Sequence, residues 1–205
     1  MRNVHSPFGF AALAALALSS TACSGSQPAS QPSTAQAAQH NQSDVDFVAA
    51  MAQHHQQALD LAELVPDRSQ NDEVKALAAR IRDEQAPEID QFRALEKEFG
   101  ASTPASTPMP DASPGAMAGM DMGGAAGMVP ENDVEQLRNL SGLKFDTRWI
   151  GLMAEHHDGA VKMAQNEIAK GQSPEAKRIA QNIVAAQTAE VAELGALLQQ
   201  ISAEK

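Results

Sequence analysis

"AMAQHHQQALDLA" (residues 50–62) sets two adjacent histidines into an apolar stripe, and "LMAEHHDGAVKMA" (residues 152–164) does so again. Shifting the chain by 102 positions aligns the two stretches without a gap. Asp44 then meets Asp146, Met51 meets Met153, and His54–His55 meet His156–His157. Glu73, Ile81, Gln85 and Glu88 meet Glu175, Ile183, Gln187 and Glu190, giving 16 identities over the 52 positions 44–95. Two unrelated helical segments would not share so much, so the chain carries an internal duplication.

Each half reads as a helical hairpin. Phe47, Met51, His54, Ala58, Leu61 and Val65 recur at steps of four and three, which predicts a helix over about 44–65. Ser43 stands as its N-cap, and Pro66–Asp67 ends it. Val74, Leu77, Ile81, Ile89, Phe92 and Leu95 define a second helix over about 72–99, with Gly100 as its stop. Pro87 interrupts its donor ladder. In the second half Gly171 closes one helix and Ser173–Pro174 opens the next as N-cap and N1, and residues 131–140 carry one further short helix. No stretch alternates with period two. The expected fold is all-α, one four-helix bundle made of two duplicated hairpins, 44–100 and 131–205. A single hairpin would bury too little to stand alone.

The flanking segments differ in kind. Residues 1–22 hold Arg2, an apolar run from Phe8 to Leu18 and then small residues, the layout of a secretory signal. "SSTAC" (19–23) resembles a bacterial lipobox, with Ser20 where Leu is usual, and Cys23 is the only cysteine. Lipidation of Cys23 is therefore expected, with residues 23–43 as a tether between an extracytoplasmic membrane anchor and the bundle. Residues 101–130 form a Pro/Gly/Ala-rich linker holding Met109, Met117, Met120, Met122 and Met128. Beside Asp121 these thioethers can capture Cu(I) or Ag(I) loosely; compositional drift explains them equally well. The net charge of −11 argues against nucleic acid, and leaves the N-terminal lipid as the only membrane contact.

Central placement of the histidines on all four counts suggests one polar layer of His54, His55, His156, His157, Glu88 and Glu190. Imidazoles with Met51 and Met153 one turn earlier form a borderline-to-soft donor set, which suits copper better than calcium or magnesium. Glu88 and Glu190 stand as ligands or as groups that orient the imidazoles. The alternative is a buried His–Gln/Glu layer that fixes helix register and binds nothing, in a structural or partner-binding module. A di-iron enzyme needs Glu-x-x-His, and here Met51 and Met153 occupy the Glu position. With the lone cysteine at the anchor, no nucleophilic site is evident either. The chain reads as a binding protein rather than an enzyme, its protein partners unspecified.

The sequence resembles the bacterial domain of unknown function 305 family. The resemblance rests on "MAQHHQQA" (51–58) with "QAPEI" (85–89), on "MAEHHDGA" (153–160) with "QTAEV" (187–191), and on "FDTRWIGLMAEHH" (145–157). It covers about residues 44–99 and 131–200, and it implies a ferritin-like bundle and, for some members, periplasmic copper binding. Many members carry a second Met where this chain has Ala50 and Leu152, and thioethers at the positions of Leu61 and Phe92, whereas Met163 is retained. Fewer sulfurs put more weight on the histidines.

Overall fold

The computed structural model describes residues 40–100 and 126–203. Cys23, the apolar run before it and Met109, Met117, Met120 and Met122 lie outside the described residues. Among the described residues six helices follow one another: α1 Gln42–Glu63, α2 Val65–Arg68, α3 Asp72–Glu98, α4 Glu131–Arg138, α5 Gly142–Lys170 and α6 Pro174–Ala203. Among the described residues there is no strand, and no helix is long and apolar enough to cross a membrane. The fold is the all-α bundle that the duplication predicts.

Local chemistry sets the helix ends. α1 begins two residues earlier than its expected start, because Asn41 rather than Ser43 caps it. The Asn41 side chain accepts from the Asp44 N–H while the Asp44 carboxylate accepts from the Asn41 N–H, a reciprocal capping box. Ser43 lies inside the helix instead and donates to Glu167. Pro66 does not end the helical path outright, since it sits in the first turn of α2, where a missing N–H costs nothing. α3 runs through Pro87 to Glu98 and stops at Gly100, whose φ of 69° is left-handed. Ser173 caps α6 by accepting from the Ala176 N–H.

α1 packs on α3 and α5 on α6, and the two hairpins join mainly through α1 and α5, with α3 and α6 touching little. Two apolar clusters fill the interior. One unites Ala58–Ala62 of α1 and Val65 of α2 with Phe145–Met153 of α5, Val74–Ile81 of α3 and Leu194–Ile201 of α6. The other unites Phe47–Met51, Phe92–Phe99, Ala160–Ala164 and Ala176–Ile183. The C-terminal half of α1 thus meets the N-terminal half of α5, so the two helices are antiparallel. Both hairpins contribute to each cluster, and Trp149 stitches them by donating its indole N–H to the Leu61 carbonyl at 2.9 Å. The four histidines separate the two clusters.

The end of the 101–130 segment is not a free linker. Val129 is only 5% exposed and belongs to the first cluster, and Val134 and Leu137 of α4 follow it there.

Candidate metal centre

The histidine layer is fully buried: His54, His55 and His157 are 0% exposed and His156 is 1%. It has two kinds of pair. His55 Nε2 lies 2.8 Å from Glu88 Oε2, and His157 Nε2 lies 3.0 Å from Glu190 Oε2, two equivalent bonds in the duplicated halves. The rings of His54 and His156 lie against each other, with centroids 3.7 Å apart and a 37° tilt between their planes. His156 and His157 centroids are 6.2 Å apart. Met51 and Met153, both 0% exposed, fall in different apolar clusters and so flank the layer from opposite ends.

The hydrogen bonds determine which nitrogens are available. A carboxylate or carbonyl oxygen only accepts, so each imidazole bound to one must place its proton on that nitrogen. His55 and His157 therefore donate from Nε2 to Glu88 and Glu190. His54 Nε2 lies 3.0 Å from the Ala126 carbonyl and donates to it. In all three rings Nδ1 is buried without a partner, and in His54, which is neutral, that atom carries a lone pair. Neither nitrogen of His156 meets a partner at full hydrogen-bond geometry, its ring lying only near the His54 backbone. Metal-bound histidines characteristically donate their second nitrogen to a carboxylate or backbone carbonyl, and three of these four already do.

Electrostatics keeps the central pair neutral. Burial, followed by the neighbouring charge of His55, lowers His54 to about 4. Burial and then the charge of His54 push His156 well below the usual 6.5. Neutral imidazole is the form that coordinates metal. On the α3–α6 side, burial and the charge of Glu190 raise Glu84.

The expected layer is thus present but does not converge on one point. Among the described residues no three His, Cys, Asp or Glu side chains are grouped to hold a metal ion. The arrangement places four buried imidazoles in one layer, with Met51 in the apolar cluster on one side of it and Met153 in the cluster on the other. The glutamines also depart from the expected hydrogen-bonded layer. Neither amide atom of Gln85 has a partner, nor does Gln187 Oε1.

Two contacts escaped the motif reading. Gln57 binds the Val129 backbone at two points, Nε2 to O at 2.9 Å and N–H to Oε1 at 2.8 Å. This lays residues 126–129 across α1 and α5 beside the histidines. The second is a carboxyl pair at the end of the bundle. Asp44 accepts from the backbone N–H groups of Gln172 and Ser173 and faces Glu167. Burial and then the Asp44 carboxylate raise Glu167 to about 8, so it is protonated and donates to Asp44. Burial alone would raise Asp44, but the bonds from Glu167 and from the backbone N–H groups bring it below its usual value. The duplicated Asp146 is likewise buried, against Ser69 of the other hairpin. The Asp44–Asp146 identity was the available signal; Glu167 has no equivalent, since Val65 occupies its place.

Fold and site together define a duplicated four-helix bundle with a buried histidine layer. The sequence profile of the domain of unknown function DUF305 matches residues 44–198, and the chain belongs to that family. The solved structure of a DUF305 protein from Streptomyces coelicolor is similar, with TM-score 0.68 and 29% identity over 78% of this chain and 94% of that one. A DUF305 fragment from Deinococcus radiodurans gives 0.64 and 31% over 78% and 97%. CopM in its Cu(II)-bound form gives 0.60 and 28% over 77% and 96%. A comparison with curated protein sequences finds no match.

Proposed function

We propose that this chain is an extracytoplasmic metal-binding protein that sequesters copper, chiefly as Cu(I). His54 and His156 with Met51 and Met153 form the central donor set, and His55–Glu88 and His157–Glu190 stand beside it. Cys23 carries the lipid anchor. CopM has been solved with Cu(I), Cu(II) and silver bound, at 26–28% identity to this chain, which supports the choice of ion. The Met-bearing segment 101–125 would add a second, looser capture point for the same soft ions.

The observation that carries this reading is the unpartnered nitrogen of every histidine in the layer. A buried polar atom without a partner costs about 1–3 kcal/mol, and a layer serving only architecture would satisfy them. A second reading has its own support: His55–Glu88 and His157–Glu190 are complete hydrogen bonds that would fix helix register without any ligand.

Replacing His156 by Leu separates the two. On the metal-binding reading the metal-free variant is more stable than wild type by about 1–3 kcal/mol, because two unpartnered nitrogens leave the core. Anaerobic competition titration then shows its Cu(I) affinity reduced. If His156→Leu instead destabilises the protein and leaves Cu(I) affinity unchanged, the architectural reading stands.

A further inference from the structure

We propose that Gln57 is a positioning residue of this site: it pins residues 126–129 so that the Ala126 carbonyl holds His54 as its Nε2–H tautomer and presents Nδ1 as the ligand atom. This rests on the metal-binding reading above.

Gln57 follows His54 by three residues, so both project from one face of α1. Its amide meets the Val129 N–H and carbonyl together, a two-point bond that fixes the segment's position and direction. Three residues back along the chain, the Ala126 carbonyl meets His54 Nε2 at 3.0 Å. The far side of the segment seats on α5 through two glycines. A Cβ on Gly127 would come within 2.7 Å of the Gly159 Cα and 2.9 Å of the His156 carbonyl oxygen. A Cβ on Gly159 would overlap the Ala126 carbonyl oxygen.

The duplication shows that this arrangement is particular to one half. Position 159 is the equivalent of position 57, and it holds Gly where the first half holds Gln. His156, the equivalent of His54, has only the His54 backbone near its ring and no partner at full hydrogen-bond geometry. The segment lies across the pseudo-two-fold and makes two otherwise equivalent imidazoles different. His54 is held in one tautomer, whereas neither nitrogen of His156 is fixed by a partner at full hydrogen-bond geometry. A site built this way has one ligand set in advance and one that adjusts to the ion, which lowers the ordering cost of binding.

The test uses the full chain with 15N-labelled histidine at fixed neutral pH, as wild type and Gln57→Leu, which keeps bulk but removes both bonds. In the metal-free wild type the His54 ring shifts should report a proton on Nε2 and none on Nδ1. In Gln57→Leu they should report a tautomer mixture, with circular dichroism unchanged. Ag(I) affinity, measured by competition, should fall about tenfold or more, the usual effect of losing a group that orients a ligand. A wild-type His54 protonated on Nδ1, or a Gln57→Leu variant with the wild-type tautomer, overturns the proposal. A wild type that binds no silver overturns the metal reading instead, and the metal-free tautomer comparison still decides whether Gln57 positions His54.

Discussion

Replacing Gly159 by Ala should destabilise the protein, although an isolated helix predicts the opposite. In the interior of a helix such as α5 the change from Gly to Ala gains about 1 kcal/mol of intrinsic helix preference. Here the added Cβ would overlap the Ala126 carbonyl and come within 2.5 Å of the Gly127 Cα, both backbone atoms that cannot rotate away. Residues 126–129 must lift. Lifting breaks the two Gln57–Val129 bonds and the His54–Ala126 bond. At roughly 1 kcal/mol net for each hydrogen bond, that removes about 3 kcal/mol. Exposing Val129 removes roughly 1.5 kcal/mol more. Against the helix gain, the expected net loss is about 3.5 kcal/mol. Urea denaturation measures it, and hydrogen exchange locates it: the Val129 amide should lose protection while the α5 interior keeps its own. A variant stabilised by about 1 kcal/mol, as at an ordinary helical glycine, would refute the reasoning and show that the segment does not seat on α5.

Glu167→Gln should leave stability near pH 5 almost unchanged and raise it relative to wild type at pH 9. Glu167 is raised from 4.5 to about 8, so across that window the native state keeps a proton that the unfolded chain has released. Wild-type stability therefore falls as pH rises through it, and a neutral amide that still donates to Asp44 removes the fall. His54 and His156 act with the opposite slope: both are lowered below 6.5, so their contribution is full above that value and is lost as pH falls below it, for His54 through about 4. His156→Leu should flatten this acid limb in pH-dependent thermal melts. For the same reason Cu(I) binding should hold nearly constant from about pH 7 to pH 5, where an ordinary histidine site has already been lost to protonation. A steep loss of affinity at about pH 6.5 would exclude His54 and His156 as the ligands.

The duplication made the architecture legible because a repeat of apolar spacing constrains packing twice over. Met51 and Met153, or Ala58 and Ala160, had to find equivalent places, and both halves had to share one core. The histidine layer was legible for the same reason, since mid-helix positions stay level when two hairpins are related by a perpendicular two-fold. What helical period cannot report is where a neighbouring segment crosses. Gln57 reads as one more exposed glutamine on α1, and Val129 as the end of a Gly-rich stretch. Their bond joins residues 72 apart through backbone groups that carry no side-chain signature. The α1 cap was misplaced by two residues because Asn41 and Ser43 are both good caps by composition. Asn41 prevails because Asp44 stands three residues after it and returns the hydrogen bond. The split of the layer into two His–Glu pairs and one His–His pair follows from which helix each ring faces, and adjacent residues on a helix point about 100° apart.

Copper K-edge absorption of the full chain, loaded anaerobically with one equivalent of Cu(I), tests the central claim most directly. If the bundle core is the site, the spectrum contains imidazole nitrogen scattering together with sulfur, and the nitrogen component disappears in a His54→Gln, His156→Gln variant that remains helical. A spectrum of sulfur alone, unchanged in that variant and lost when the methionines of residues 101–128 are replaced, would place the metal outside the core. The histidine layer would then be architecture.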